Sequence, residues 1–364
     1  MNKKYNQHPA CFDSDQWASR RKVISRSLLK WYHSTARDLP WRRSPDPYRV
    51  WVSEIMLQQT QVKTVIPFYK KFIEKFPNLA KLSNATLDDI LKLWSGLGFY
   101  KRAENIYKSS QYIKKNHNNR LPVKYEDLIN LPGIGRTTAS AILTFSGNGK
   151  FPILDGNVKR FLSRLYFIDP KLSVREIENR LWELSENLLP IKKAPEFIQS
   201  LMDIGSLICR KSEPHCLKCP VNQDCFSYKK NNIKKISFKK KVSLKKENIW
   251  TVLIIDNQKR IFLTKLSYKN LWKGLYSSPV FPDKHDMKKW IDKHDLQQCL
   301  NSTIWKFSHK LSHIDFLFNV HICKIISNKK VSLMGDNWYN LSDIKFGMPK
   351  YQDKIITEYI NNYD

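Results

Sequence analysis

Apolar residues recur every three or four positions through the first 226 residues of this 364-residue chain. The stretch "WVSEIMLQQTQVKTVIPFYKKFIEKF" carries that spacing, the mark of helices with one buried face. "SNATLDDILKLWSGLG" reads as a Ser/Asn cap, an amphipathic helix and a glycine stop. "KRAENIYKSSQYIKKN" and "REIENRLWELSENLL" repeat the pattern. The expectation is an all-α domain of about ten helices over residues 16–226. A Lys-rich tract, "KKNNIKKISFKKKVSLKKE", follows without a helical stripe, and residues 227–247 read as a linker extended by self-repulsion. From residue 248 the period changes. "IWTVLIIDNQKRIFLTKL" is strand, Asp-Asn turn, strand; "GLYSSPVF" and "HIDFLFNVHICKII" are further strands; "DMKKWIDKH" and "YQDKIITEYI" are helices. Residues 248–360 form an α+β domain.

Composition adds a partner. Lys and Arg outnumber Asp and Glu by 63 to 33, a formal charge of +30, which points to a polyanion such as nucleic acid. A Lys-, Asn- and Ile-rich composition also follows from AT-rich coding, so charge alone does not separate binder from enzyme. With 41% hydrophobic residues the chain can bury real cores. The N-terminal stretch has no apolar signal-like segment and no apolar run has membrane length. A reducing cytoplasm is therefore expected, where clustered cysteines bind metal more often than they pair.

Three motifs carry chemistry. In "YEDLINLPGIGRTTASAIL" a helix, a tight turn and a second helix form a helix-hairpin-helix signature. Gly133 and Gly135 permit unusual backbone angles there. The turn ahead of Arg136 presents N–H groups at a helix start, which suits a phosphate. In "FPILDGNVKRFLSRL", Asp155 stands just before a helix, and a plain N-cap is the competing explanation. Four of the seven cysteines, Cys209, Cys216, Cys219 and Cys225, lie in one basic segment with spacing C-x6-C-x2-C-x5-C. The other three are scattered.

Together these resemble the helix-hairpin-helix DNA glycosylases, and most closely the adenine DNA glycosylase (MutY) family. The resemblance runs through "LPWRRSPDPYRVWVSEIMLQQTQV", "LWSGLGFYKRAENI", "LPGIGRTTASAIL", "ILDGNVKR", the cysteine loop (209–225), "LWKGLYSSPVF" and "HKLSH". It covers about residues 20–350. It implies a helix-hairpin-helix glycosylase domain with a Nudix-like second domain. The cysteine loop resembles that of endonuclease III and its relatives, which implies one [4Fe–4S] cluster on Cys209, Cys216, Cys219 and Cys225. Tetrahedral zinc is the alternative, although zinc sites more often use paired C-x2-C units. No nucleotide cofactor is implied. Arg210 and Lys211, with Lys218, become phosphate contacts.

The resemblance implies a mechanism. Adenine leaves poorly unless N7 is protonated, and Glu54 is the general acid. Burial beside Ile55 and Met56 would raise its pKa. Asp155, kept ionised, stabilises the oxocarbenium-like sugar. Asn157 and Thr137 support the pocket. Thr137 occupies the place of the catalytic Lys of endonuclease III, so no Schiff base and little backbone cleavage are expected. Gln58 and Gln59 fill the gap left by the extruded nucleotide. Phe99, where relatives carry Tyr, is the second wedge, and Tyr100 beside it is a DNA contact.

The second domain lacks the Glu-rich Nudix helix and should not hydrolyse nucleotides. Its implied role is to recognise 8-oxoguanine through Leu311, Ser312 and His313, in preference to the literal "FSH" at 307–309. The expected partner is duplex DNA carrying A:8-oxoguanine or A:G mispairs, bound by a monomer with no membrane association. An endonuclease III-like glycosylase/lyase and a non-catalytic DNA-binding iron–sulfur protein are the competing functions.

Overall fold

The computed structural model describes residues 14–363 except 234–235, 237–243, 267–270, 302–303, 312–313, 327–333, 335–336, 342–343 and 345. The chain divides into two compact units. One comprises residues 1–80 and 109–239, the other 81–108 and 240–364. The second unit therefore takes in a stretch of the helical region, 81–108, that the sequence pattern groups with the first.

Helices follow in the order α1 (Ser14–Thr35), α2 (Pro40–Arg43), α3 (Pro47–Leu57), α4 (Val62–Lys75), α5 (Leu79–Ser83), α6 (Leu87–Trp94) and α7 (Lys101–Asn116). Then come α8 (Tyr125–Ile129), α9 (Arg136–Phe145), α10 (Gly156–Leu165), α11 (Val174–Leu188), α12 (Ala194–Leu207) and α13 (Phe226–Lys229). Thirteen segments replace the ten or so expected, because α2, α5, α8 and α13 are single turns too short to show a hydrophobic period.

In the first unit, α3 begins where the Asp46 carboxyl accepts from the Arg49 amide and Pro47 fixes the first helical φ. Its Val50, Trp51, Val52, Ile55 and Met56 are buried. A capping box, Ser173 with Glu176, starts α11. Ile24 and Leu28 of α1, Val158, Phe161 and Leu162 of α10, Leu181 of α11 and Phe197 and Leu201 of α12 share one core. Cys209, Cys219 and Cys225 pack against its edge.

In the second unit, α6 starts at a Thr86–Asp89 capping box, beyond the expected Ser83/Asn84 cap. A six-stranded sheet follows, with strands β1 (Lys245–Asp256), β2 (Ile261–Phe262), β5 (Val280–Phe281), β6 (Ile304–Lys310), β7 (Ile314–Ile325) and β8 (Trp338–Tyr339). A smaller ribbon pairs β3 (Thr264–Lys265) with β4 (Tyr276–Ser277). The helices α14 (Lys284–Lys293) and α15 (Lys350–Tyr363) also belong to the unit. β1 runs parallel to β7, and Lys245, Lys246 and Glu247 pair with Ile314, Asp315 and Phe316. The end of the Lys-rich tract is thus strand, its polar backbone satisfied by β7.

β6 and β7 form a hairpin whose last ladder pair is Lys310 with Asp315, and the Leu311 amide donates to the Ile314 carbonyl at 2.8 Å. Cys299 and Cys323, scattered in sequence, are joined by a disulfide inside a core with Met287, Ile291 and Leu296.

Candidate active site and cysteine centre

A cleft of about 880 Å³ opens in the first unit. It is lined by Glu54 and Gln58 from the C-terminal end of α3, Gln59 beyond it, Thr137 from the start of α9, and Asp155, Gly156 and Asn157 from the start of α10. Residues more than 100 positions apart in sequence thereby line one cleft.

Glu54 follows the buried Ser53 and precedes the buried Ile55 and Met56. Burial pushes its carboxyl up to about 8; the Asp155 carboxylate adds to the rise and Arg42 opposes it. Asp155 is the N-cap of α10, so the plain structural explanation and the functional one coexist. Its carboxyl accepts from the amides of Asn157 (3.0 Å) and Val158 (2.7 Å) and from the Asn157 side-chain amide (3.1 Å). Burial pushes its pKa above the usual carboxylate range, while the Val158 and Asn157 donors and Arg160 offset part of the rise. Three donors oppose the burial at Asp155, whereas a second carboxyl reinforces it at Glu54.

Thr137 donates its hydroxyl to the Leu154 carbonyl at 3.3 Å, tying α9 to the segment before Asp155. Gln58 donates to the Gly133 carbonyl at 3.1 Å, tying the end of α3 to the helix-hairpin-helix turn. Gln59 is exposed with φ 58°, in the left-handed region. Gly133, at φ 82°, needs glycine. Gly135 does not: its φ is −99° and its ψ −179°, ordinary extended backbone. A Cβ there would meet nothing within 4 Å, so the expected conformational role falls to Gly133 alone. Arg136 is exposed and its guanidinium lies 3.8 Å from the Trp182 ring centroid.

Several residues that line the cleft, or are bonded to or packed against its lining, carry no mark in the sequence. Asp203 is buried between Arg37 and Arg42, with Arg42 Nη1 at 2.9 Å from Oδ2. Those pairings hold its carboxyl below the usual range despite burial. Arg160 donates to the Asn157 side chain at 3.0 Å and to the Cys209 carbonyl at 2.8 Å, joining the Asp155 turn to the cysteine loop. Gly205 on α12 lets the Asn157 backbone approach: a Cβ there would sit 2.7 Å from the Asn157 carbonyl oxygen. The signal was available in "LPWRR" and "DGNVKR", but cations in a basic chain do not stand out.

Cys209, Cys216, Cys219 and Cys225 line one cavity with Phe161, Leu165 and Val221. Burial first, and then the neighbouring thiols, push Cys219 up to about 12 and Cys225 up to about 11. Arg164 donates toward the Cys209 sulfur at 3.4 Å and to the Arg210 carbonyl at 2.7 Å. Among the described residues no group of three or more Cys, His, Asp or Glu donors converges on one metal ion. Four thiols lining one cavity are a donor set that fits a sulfur-ligated metal group. Arg210 donates to the Glu213 carbonyl and pairs with His215. Lys211 lines the cleft and is exposed.

In the second unit Phe99 is 43% exposed at φ 51°, and Tyr100 is half-buried. Leu311 is half-buried at the β6–β7 turn, and Ser312 and His313 lie outside the described residues. The competing "FSH" falls inside β6. Phe307 is buried there, stacked on Phe318 at 5.1 Å.

Residues 52–187 match the family model of the HhH-GPD superfamily base excision DNA repair proteins, and 250–358 match that of the NUDIX domain. The adenine DNA glycosylase of Buchnera aphidicola subsp. Schizaphis graminum is 43% identical over 342 residues, covering 92% of this chain and 98% of that one. This chain belongs to the adenine DNA glycosylase family. The Homo sapiens adenine DNA glycosylase is 38% identical over 208 residues, 55% of this chain and 38% of the human one. Among solved structures, a thermostable thymine-DNA glycosylase superposes with TM-score 0.55 at 29% identity, over 60% of this chain and all of that one. An endonuclease III–DNA complex shares the fold at TM-score 0.50 and 22% identity, over 59% and 97% of the two chains. This member of the adenine DNA glycosylase family thus keeps both family domains in one chain.

Proposed function

We propose that this protein is a DNA repair enzyme that hydrolyses the bond between adenine and deoxyribose, acting on adenine mispaired with 8-oxoguanine or guanine. The names of its relatives support the adenine; the observation that carries the chemistry is that Glu54 and Asp155 line one cleft, near enough for the Asp155 charge to raise the Glu54 pKa. Glu54, with a pKa of about 8, holds its proton at neutral pH and can deliver it to N7 of an extruded adenine. Protonation makes adenine a competent leaving group. The sugar becomes cationic as the bond breaks. The Asp155 carboxylate stabilises that charge by direct attraction. Its bonds to the Asn157 and Val158 amides hold it in place. Glu54, now ionised, accepts a proton from the water that adds at C1′. Thr137 offers no amine, which supports a monofunctional hydrolase.

Cys209, Cys216, Cys219 and Cys225 would hold a [4Fe–4S] cluster, which when bound supplies a cross-link for the loop and places Arg210 and Lys211 against phosphate. Gln58, Gln59 and Phe99 would fill the vacated stack, and Leu311, Ser312 and His313 would read the 8-oxoguanine. The formal charge of +30 supports duplex DNA as partner. A cytoplasmic monomer is the proposed form; no described helix is long and apolar enough to cross a membrane.

Single-turnover assays on duplexes carrying A:8-oxoguanine, A:G, A:T and thymine glycol test the reading. Adenine release from the first two alone supports it. Thymine glycol removal, with a borohydride-trapped adduct, overturns it in favour of an endonuclease III-like activity.

A further inference from the structure

The turn that carries Phe99 is built within the second unit. Three of its residues occupy the left-handed region: Gly96 at φ 89°, Gly98 at φ 77° and Phe99 itself at φ 51°. A phenylalanine at positive φ is uncommon and persists only where its surroundings over-determine it. Here they do so from two sides. On the inner side, Trp94 Nε1 donates to the Gly98 carbonyl at 3.1 Å, and Arg102 donates to the same carbonyl at 3.0 Å. Arg102 is buried, and its guanidinium carbon lies 5.3 Å from the Phe99 ring centroid and 5.5 Å from that of Trp94. On the other side, two hydroxyls converge on one backbone oxygen. Ser95 donates to the Met348 carbonyl at 2.9 Å and Tyr100 at 3.2 Å. The Gly96 amide donates back to the Tyr100 hydroxyl at 3.3 Å.

Met348 is itself anchored. The neighbouring Gly347 accepts from the Tyr276 amide of β4 at 3.0 Å. Gly347 also lies so close to α6 that a Cβ would sit 2.7 Å from the Leu91 carbonyl oxygen. The turn at 95–100 belongs to the same compact unit as strands β6 and β7.

We propose that Ser95 and Tyr100, clamped on the Met348 carbonyl, are positioning residues that hold Phe99 ready to enter the base stack, so that the C-terminal unit carries a wedge as well as a lesion reader. The proposal rests on the reading of Phe99 as a stacking wedge. An exposed ring on a pre-set turn loses little freedom on insertion, and a ring of that size fills the space of a departed base. Without the clamp, the left-handed Phe99 relaxes to ordinary backbone angles and the ring must be ordered on binding.

The test is a double-mutant cycle on the full-length protein with Tyr100→Phe, Ser95→Ala and Phe99→Ala, read by single-turnover adenine release. Two duplexes are compared: A:8-oxoguanine, and adenine opposite an abasic site, where extrusion is easier. The clamp variants are expected to lose about tenfold more rate on the paired duplex than on the abasic one, a difference of about 1.4 kcal/mol. Adding either clamp substitution to Phe99→Ala should cost no further selectivity, because the wedge being positioned is already gone. A plain structural role predicts instead equal losses on both duplexes and full additivity with Phe99→Ala, and either result overturns the proposal. If Tyr100→Phe lowers the melting temperature, Ser95→Ala removes the other bond alone and carries the same selective expectation. A Phe99→Ala variant with wild-type rates on both duplexes would refute the wedge reading itself, a result distinct from failure of the clamp.

Discussion

Replacing Glu54 by Gln should stabilise this protein while stopping its chemistry, and the gain should depend on pH. The folded state raises the Glu54 carboxyl from 4.5 to about 8. Below pH 4.5 the carboxyl is protonated in folded and unfolded chains alike, and Gln gains nothing. As pH rises from 4.5 to 8 the unfolded chain ionises and the folded one does not, so stability is lost progressively; above 8 the loss levels off. At 1.36 kcal/mol per tenfold change in proton affinity, the full loss is about 5 kcal/mol. Glu54 opens onto a wet cleft, and solvent screening reduces this to about 2 kcal/mol. For a domain of 150–250 residues that is about 4–8 °C in Tm. Thermal melting of wild type and Glu54→Gln at pH 4.5 and pH 8 measures it. A Tm gain at pH 8 that vanishes at pH 4.5 supports the buried-acid account. Equal shifts at both pH values, or destabilisation at pH 8, refute it.

Other expectations follow from the same geometry. Asp155→Asn keeps a side chain that caps helices as well as Asp does, so Tm should move by less than about 3 °C. Adenine release should meanwhile fall roughly 100-fold or more, measured in single turnover. Gly205→Ala forces a Cβ against the Asn157 carbonyl and should destabilise by about 1–3 kcal/mol in denaturant titration, with slower adenine release as the Asp155 turn shifts. Cys219→Ser should abolish the broad visible absorption and the bound iron of about four atoms per chain expected of a four-cysteine cluster. Zinc in its place, by metal analysis, would contradict the cluster.

The hydrophobic period made both folds legible, because long amphipathic helices such as α4 and α11 and the apolar core of β1 announce themselves. β6 passed unnoticed, since "IWKFSHK" is short and half polar. The attachment of residues 81–108 to the second unit was invisible as well. It depends on a backbone contact at Gly347 and on a carbonyl oxygen, neither of which leaves a pattern in side-chain type. At the site, Glu54 and Asp155 stood out through the motifs around them. Asp203, Arg42 and Arg160 did not, because their meaning lies in contacts between segments distant in sequence, Arg42 with Asp203 and Arg160 with the Cys209 carbonyl. The Cys299–Cys323 bridge spans 24 positions, and nothing local marks either partner.

The most direct measurement is the pH dependence of adenine release from an A:8-oxoguanine duplex at subsaturating concentration, where the rate reports groups of the free enzyme. A general acid titrating near 8 predicts a plateau through neutrality and a tenfold fall per pH unit above about 8. A rate that stays level or climbs through pH 9 would contradict Glu54 as the proton donor.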